Sequence, residues 1–184
     1  MVGLTRKRVA VVLIVLSVSV MVFGSRLQAS KPAGKFIQIE GQVSVSGTSA
    51  ISGATVFSDS TITTAARSSA VVSLGKLGRV EVLPDSTMKL SFDDSSVSVS
   101  MLEAGRVRLS SSSNVKTTTT TKDGQISTVG NSRNTFTVDT TCGSTFVAVK
   151  NGKVELRAGS TVKQIAAGGQ DTAGQARPGC TPAP

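Results

Sequence analysis

Apolar and polar residues alternate in many short segments of this chain, and glycine, proline or paired acidic residues interrupt the alternation. Ala70, Val72 and Leu74 share one face of an extended segment, and after two glycines the same spacing resumes at Val80 and Val82. Successive side chains of a β-strand point to opposite faces, so a period of two indicates half-buried strands. Such segments recur about every ten residues, which is typical of all-β proteins. Beyond the N-terminus no segment keeps the helical period over three turns.

The composition restricts what the core contains. Aromatic residues make up only 3% of the chain, with no Trp and no Tyr, so Val, Ile, Leu, Ala and Met must build the core. Few large side chains favour a thin architecture. We therefore expect an all-β fold of short strands in a solenoid-like or twisted β architecture, rather than a conventional sandwich. One hydrophobic helix is expected in addition, at the N-terminus.

Residues 110–125 are low in complexity and contain a run of five threonines. Threonine is compatible with strands, but no apolar residue alternates with the threonines here. The segment is therefore expected to form a surface loop or a ragged edge.

The N-terminus has the layout of an export signal. Three basic residues, 6–8, precede an apolar run from Val9 to Phe23, and small and polar residues follow. The run is short for a membrane helix, which needs about 20 residues, and long for the core of a signal peptide. Residues 1–29 are therefore either a cleaved signal peptide, which we slightly favour, or an uncleaved membrane anchor. Residues 30–36 read as a linker, and under both alternatives the rest of the chain is exported.

Two cysteines support an exported location. Cys142 and Cys180 form an even pair, which in an exported chain indicates a disulfide more often than a metal site. A zinc site would need further ligands, and the chain has no histidine. The bond would tie residues 171–184, which have the composition of a C-terminal tail, to the domain. Its expected contribution to stability is about 3–4 kcal/mol.

The formal net charge of +9 is partly due to four basic residues that flank the apolar run. The remaining excess is spread out and has no interleaved aromatic residues, so no nucleic-acid partner is expected. The remaining positive charge is compatible with attraction to an anionic envelope polymer. Arg106 and Arg108 share one face of a predicted strand and are candidates for contact with an anionic partner. The alternative is that they form the solvent side of a strand whose Val107 and Leu109 point inward.

Catalytic patterns are scarce, and the absence of histidine removes the usual general base. Ser86 and Lys89 match the S-x-x-K pattern, but on a strand an odd offset places them on opposite faces. Asp93 and Asp94 indicate a hairpin turn rather than an acid–base pair or a calcium site. The glycines of residues 166–170 lack the helix and lysine of a phosphate loop. We therefore predict no enzyme activity, no cofactor and no metal.

Residues 39–170 resemble the FecR domain. The resemblance is carried by "GQVSV" at 41–45, "GRVEVLPDSTMKL" at 78–90, "LEAGRVRL" at 102–109, and the closing strands from Phe136 to Gln170. The resemblance implies an all-β sensing or interaction domain in the periplasm, here assigned to residues 37–170. In the best-known members this domain transmits the state of an outer-membrane transporter to a sigma factor, through a cytoplasmic anti-sigma region. Only eight residues precede the apolar run, so we expect that region to be lacking.

Three functions follow as hypotheses. The first is a non-catalytic envelope module for signalling or protein interaction, whose partner is another envelope protein. The second is a structural domain that binds an anionic envelope polymer. The third, an envelope hydrolase, is disfavoured because the sequence offers no coherent pair of nucleophile and base.

Overall fold

The computed structural model describes residues 33–182, and within them the chain is almost entirely β-structure. Seventeen strands follow one another in sequence. Their bounds are β1 Ala33–Glu40, β2 Val43–Val45, β3 Thr48–Ser49, β4 Thr55–Phe57, β5 Ser60–Thr64, β6 Ser69–Ser73, β7 Gly78–Val82, β8 Ser86–Phe92, β9 Ser96–Met101, β10 Arg106–Ser111, β11 Lys116–Thr120, β12 Gln125–Thr128, β13 Asn134–Asp139, β14 Thr145–Asn151, β15 Lys153–Ala158, β16 Thr161–Ala166 and β17 Gln170–Ala173. A single 3-10 turn, Gly75–Leu77, precedes β7.

The strands form two sheets between which the chain passes repeatedly. Sheet A has the order β17-β14-β13-β10-β7-β6-β1-β4, and sheet B has the order β16-β15-β12-β11-β9-β8-β5-β2-β3. From β6 to β9, one hairpin lies in sheet A and the next in sheet B, and the chain advances along both sheets from its first strands to its last. This progression confirms the predicted all-β, solenoid-like or twisted architecture. The predicted N-terminal helix lies outside the described residues.

One hydrophobic core joins the two sheets. Strand β8 alternates buried and half-buried residues along its whole length, and β6, β9 and β10 alternate in the same way. The inward side chains of sheet A, such as Val72 and Val80, belong to one cluster with Met88 and Leu90 of sheet B. The core therefore consists mainly of medium-sized aliphatic side chains, as the composition predicts, and Phe36, Phe92 and Phe136 are buried among them.

The threonine run is not a surface loop, and that prediction is wrong. Residues 116–120 form β11, which pairs in parallel with β9 and antiparallel with β12 inside sheet B. Thr117 and Thr119 point into the core and Thr118 points outward. A threonine side chain carries a methyl group and is β-branched like valine, so a run of threonines can supply an inward face without any apolar residue.

The first strands of the described chain lie at one end of each sheet, and the last strands lie at the other end. Strands β3 and β4 bound the two sheets on the side of the first strands, whereas β16 and β17 bound them on the other side. Strand β1 begins at Ala33, inside the segment whose composition suggests a linker, and β17 extends to Ala173. Among residues 33–182 there is no helix long and apolar enough to cross a membrane.

Candidate interaction surfaces

The two predicted arginines lie on the outer face of sheet A. In β10, Arg106 and Arg108 are half-buried and alternate with the fully buried Val107 and Leu109. The Arg108 guanidinium donates a hydrogen bond to the Glu81 carboxylate, with 2.9 Å between Nη1 and Oε2. Their side chains are 42% and 30% exposed, so the pair is accessible to a ligand and contributes little to stability.

Arg106 is less accessible to a ligand than Arg108. Its Cα lies opposite that of the buried Asp139 in the register of β10 and β13. Its backbone N–H donates to the Ser86 hydroxyl at 2.8 Å, which fixes the strand at this point. The Nε atom of its guanidinium is buried and has no hydrogen-bond partner in the structure. Arg106 is thus partly covered, whereas Arg108 is open on the same face.

Arg108 lines a groove of about 630 Å³ that runs across the outer face of sheet A. We call it the basic groove. Its polar and charged side chains are Arg79, Glu81, Arg108, Ser110, Thr135, Thr137, Lys150, Asn151 and Gln170. Three cations face one carboxylate, and that carboxylate is already paired with Arg108. The groove therefore offers a positive surface with hydroxyl and amide groups for an anionic or polyhydroxylated ligand.

A second surface is the free edge of sheet B. Strand β16 is hydrogen-bonded only to β15 among the described strands, and it is the longest of the four edge strands, with six residues. Five of the six residues are exposed, and Val162 is 46% exposed. An edge strand presents unpaired backbone groups that can pair with a strand from another chain. We call this feature the β16 edge.

The single charge on the β16 edge is neutralised within the protein. The Lys163 ammonium lies 2.8 Å from a carboxylate oxygen of Asp171, at the start of β17. The hydrogen bond from Lys163 holds the pKa of Asp171 below its usual value, and the backbone N–H of Thr172 adds to the effect. Lysine on an edge strand normally opposes pairing with another strand. Here the ion pair joins the edges of the two sheets, so this lysine is not directed at an incoming strand.

Cys142 and Cys180 form the predicted disulfide, with their Cα atoms 5.5 Å apart. The tail is further held by Arg177, whose backbone N–H donates to the Cys142 carbonyl and whose side chain donates to the Thr141 carbonyl. A disulfide of this kind is typical of proteins from oxidising, exported compartments. The pair has a structural role and leaves no free thiol among the described residues.

The motifs with catalytic appearance are parts of the scaffold. Ser86 is buried, and its hydroxyl bonds to backbone groups of Pro84 and Arg106. Lys89 points to the opposite face of β8 and pairs with Asp59 at 3.2 Å. Ser86 and Lys89 therefore do not meet. Within residues 33–182, no three His, Cys, Asp or Glu side chains are grouped in a way that could hold a metal ion.

Asp93 closes the predicted hairpin turn between β8 and β9. Its carboxylate accepts hydrogen bonds from the hydroxyl and the backbone N–H of Ser96 and from the backbone N–H of Ser95. These bonds, with the Ser96 hydroxyl first, lower the pKa of Asp93 to about 2. The Asp93 carboxylate thus stabilises the turn in which it lies.

The basic groove and the β16 edge were not found from the sequence. Arg79, Arg108 and Lys150 are separated by tens of residues and meet only because β7, β10, β13 and β14 are neighbours in sheet A. Val162 and Ile165 indicate a strand in residues 160–170, but not its place at the edge of a sheet. The charge on Lys150 and the exposed Val162 are unremarkable in the sequence alone.

Part of the fold is shared with solved structures. Two crystal structures, at 2.50 and 1.65 Å resolution, of a "putative anti-sigma factor" from Parabacteroides distasonis each superpose with a TM-score of 0.50 and 16% sequence identity. The match covers 61% of this chain and 53% of theirs, so this chain corresponds to about half of the length of those proteins. No model of a known protein family matches the sequence, and no curated protein matches it. The likeness shows a common fold.

Proposed function

We propose that this chain is a non-catalytic, FecR-like module of the bacterial envelope that binds another protein through the β16 edge. The observation that carries the proposal is the exposed six-residue edge of sheet B, whose lysine is engaged by Asp171. Addition of a strand to a free edge is a common mode of recognition, in which backbone hydrogen bonds supply affinity. The fold shared with anti-sigma structures supports a regulatory role, and the disulfide supports a periplasmic location.

The proposal is tested by recovery of partners from an envelope extract. Gln164→Lys places a charge on the β16 edge that opposes an incoming strand, because its cross-strand neighbour Glu155 is already paired with Arg157 and leaves the new charge without a partner. Ser98→Lys places the same charge in the middle of sheet B, between β8 and β11. We expect one defined protein to be recovered with the wild type and with Ser98→Lys, and at least tenfold less with Gln164→Lys. Equal recovery with both variants would contradict the role of the edge.

The basic groove supports a second function, the binding of an anionic envelope polymer. Its cations Arg79, Arg108 and Lys150 outnumber Glu81 on a surface that is open to solvent. Retention on purified anionic polymer should fall with increasing salt, because exposed charges are screened. Lys150→Glu should reduce retention several-fold. Lys116→Glu, at an exposed position of sheet B, is the matched control and should have a smaller effect.

A further inference from the structure

The exposed apolar side chains are concentrated in one region of the described chain. Five large apolar residues are exposed: Ile37, Ile51, Phe57, Leu102 and Val162. Ile37 in β1 is 53% exposed, Ile51 in the loop that precedes β4 is 70% exposed, and Phe57 in β4 is 58% exposed. Single exposed apolar residues are ordinary, whereas a group in one region indicates an interaction site.

The hydrogen bonds of this region bring its segments together. The backbone N–H of Gly53 donates to the Phe36 carbonyl at 2.8 Å, so the loop carrying Ile51 lies against β1 next to Ile37. Ile37 is the extra residue where the register between β1 and β6 shifts, which is why it leaves the inward alternation of the strand. Phe57 lies on β4, the edge strand of sheet A, opposite Ala33 and therefore four strand positions, about 13 Å, from Ile37 along the sheet. We call Ile37, Ile51 and Phe57 the apolar corner.

The apolar corner lies where the described chain begins. Phe57 is directly opposite Ala33 in the register of β1 and β4. Nine residues, 24–32, separate the end of the apolar run at Phe23 from Ala33. Nine extended residues span about 30 Å at most. If the run is anchored in a membrane, the corner is therefore held within that distance of the bilayer.

The charges around the corner suit an anionic surface. Lys35 is exposed, lies opposite Thr55, and its side chain extends along Gly53. Asp59 is paired with Lys89, so its charge is balanced. Glu40 accepts hydrogen bonds from the neutral side chains of Gln38 and Ser69 and keeps its charge, but it lies five positions along β1 from Lys35.

We propose that the apolar corner inserts into the interface of an anionic lipid bilayer, with Lys35 against the lipid headgroups. The proposal takes the anchor alternative for residues 1–29 in place of the cleaved signal peptide. It is independent of the β16 edge and commits to lipid rather than to a protein partner. Burial of a few apolar side chains in the interface gives only weak, reversible binding by itself. A tether of nine residues makes this contact intramolecular and raises the effective lipid concentration, so weak affinity is sufficient.

The absence of Trp and Tyr provides a direct test. In the full-length chain, Phe57→Trp gives a single indole that reports on the corner, and Val162→Trp gives a matched indole on the β16 edge. Each variant is reconstituted into vesicles of phosphatidylethanolamine and phosphatidylglycerol, with and without brominated acyl chains. We expect the Phe57→Trp emission to move to shorter wavelength and to be quenched by brominated lipid at least threefold more than that of Val162→Trp. Far-ultraviolet circular dichroism verifies that both variants fold.

Three outcomes would overturn the proposal. The first is equal quenching of the two indoles by brominated lipid. The second is a Phe57→Trp indole that is shielded from aqueous acrylamide but not quenched by brominated lipid, because a protein surface then covers the corner. The third is a mature chain that begins after residue 23 in N-terminal sequencing, because the tether is then lost.

Discussion

Two buried threonine hydroxyls have no hydrogen-bond partner in the described structure. The Oγ1 atoms of Thr117 and Thr119 lie on the inward face of β11. Thr119 is fully buried and is paired with Val99 on one side and Ile126 on the other. A buried hydroxyl without a partner loses its hydration without compensation, at a cost of about 1–3 kcal/mol. The methyl group on the same side chain offsets part of that cost.

Replacement of Thr119 by valine should therefore stabilise the protein. Valine keeps the β-branched shape and removes the unpaired hydroxyl, and we expect the free energy of unfolding to rise by about 1 kcal/mol. Thr118→Val, on the outer face of the same strand, is the matched control and should change it by less than about 0.5 kcal/mol. Chemical denaturation of the oxidised protein measures both. A destabilised Thr119→Val would mean that the hydroxyl has a partner, such as an internal water.

The Asp93 carboxylate should make stability depend on pH in acid. Its pKa is lowered from 3.8 to about 2 in the folded protein. The stabilisation is therefore complete above the unfolded pKa near 4 and is lost as the pH falls through 2. Carbon-13 NMR of the carboxyl group measures the titration. Ser96→Ala removes the strongest hydrogen bond and should move the pKa upward, and an unchanged pKa in that variant would contradict this assignment.

At the scale of single elements, Gly78 at the start of β7 is required by both conformation and space. Its φ is +127°, and a Cβ at this position would lie 2.0 Å from the Ser110 carbonyl oxygen. Gly78→Ala should lower the free energy of unfolding by more than about 2 kcal/mol, because the neighbouring strand must move. Gly75, with φ +60° and open space, is the control, and alanine there should cost about 1 kcal/mol. Equal losses in thermal or chemical denaturation would show that crowding at Gly78 is unimportant.

The disulfide should determine the stability of the C-terminal tail. It links residues 38 positions apart, for which the chain-entropy estimate is about 4 kcal/mol. The double variant Cys142→Ser, Cys180→Ser should lose about 3–4 kcal/mol of unfolding free energy. Elastase, which cleaves after small residues such as alanine, should then cut after Ala173 or Ala176 faster than in the oxidised protein. An unchanged rate at these two sites would mean that the hydrogen bonds of the tail hold it without the disulfide.

How far the sequence predicts these elements depends on how local their causes are. The strands from Ser69 to Met101 follow from apolar residues at alternate positions, and the Asp93 turn follows from its side chain. Strand β11 is hidden because threonine methyl groups replace the apolar residues that the pattern requires. The groove around Arg108 and the free edge at β16 depend on which strands are neighbours, and pairing across many residues leaves no local mark in the sequence.

For the whole molecule, the order of strands places two surfaces at opposite ends. The apolar corner belongs to β1, β4 and their loop, at the end where the chain enters, and the β16 edge bounds sheet B at the other end. A protein held at a membrane by its first strands would present its last strands away from the lipid. The proposed lipid contact and the proposed partner contact would then not compete for the same surface.

Hydrogen exchange of the full-length chain should distinguish protection at the apolar corner from protection at the β16 edge. The central strands β7, β9, β10 and β11 have neighbours on both sides and should exchange slowest, whereas edge strands open first. Transfer from detergent to anionic vesicles should slow exchange in residues 51–57 and leave residues 161–166 unchanged. Addition of envelope extract to the vesicles should then slow exchange in residues 161–166, because a strand paired with β16 protects its backbone amides. Protection of both regions by vesicles alone would mean that the two ends face the same surface and that the arrangement of two separate contacts is wrong.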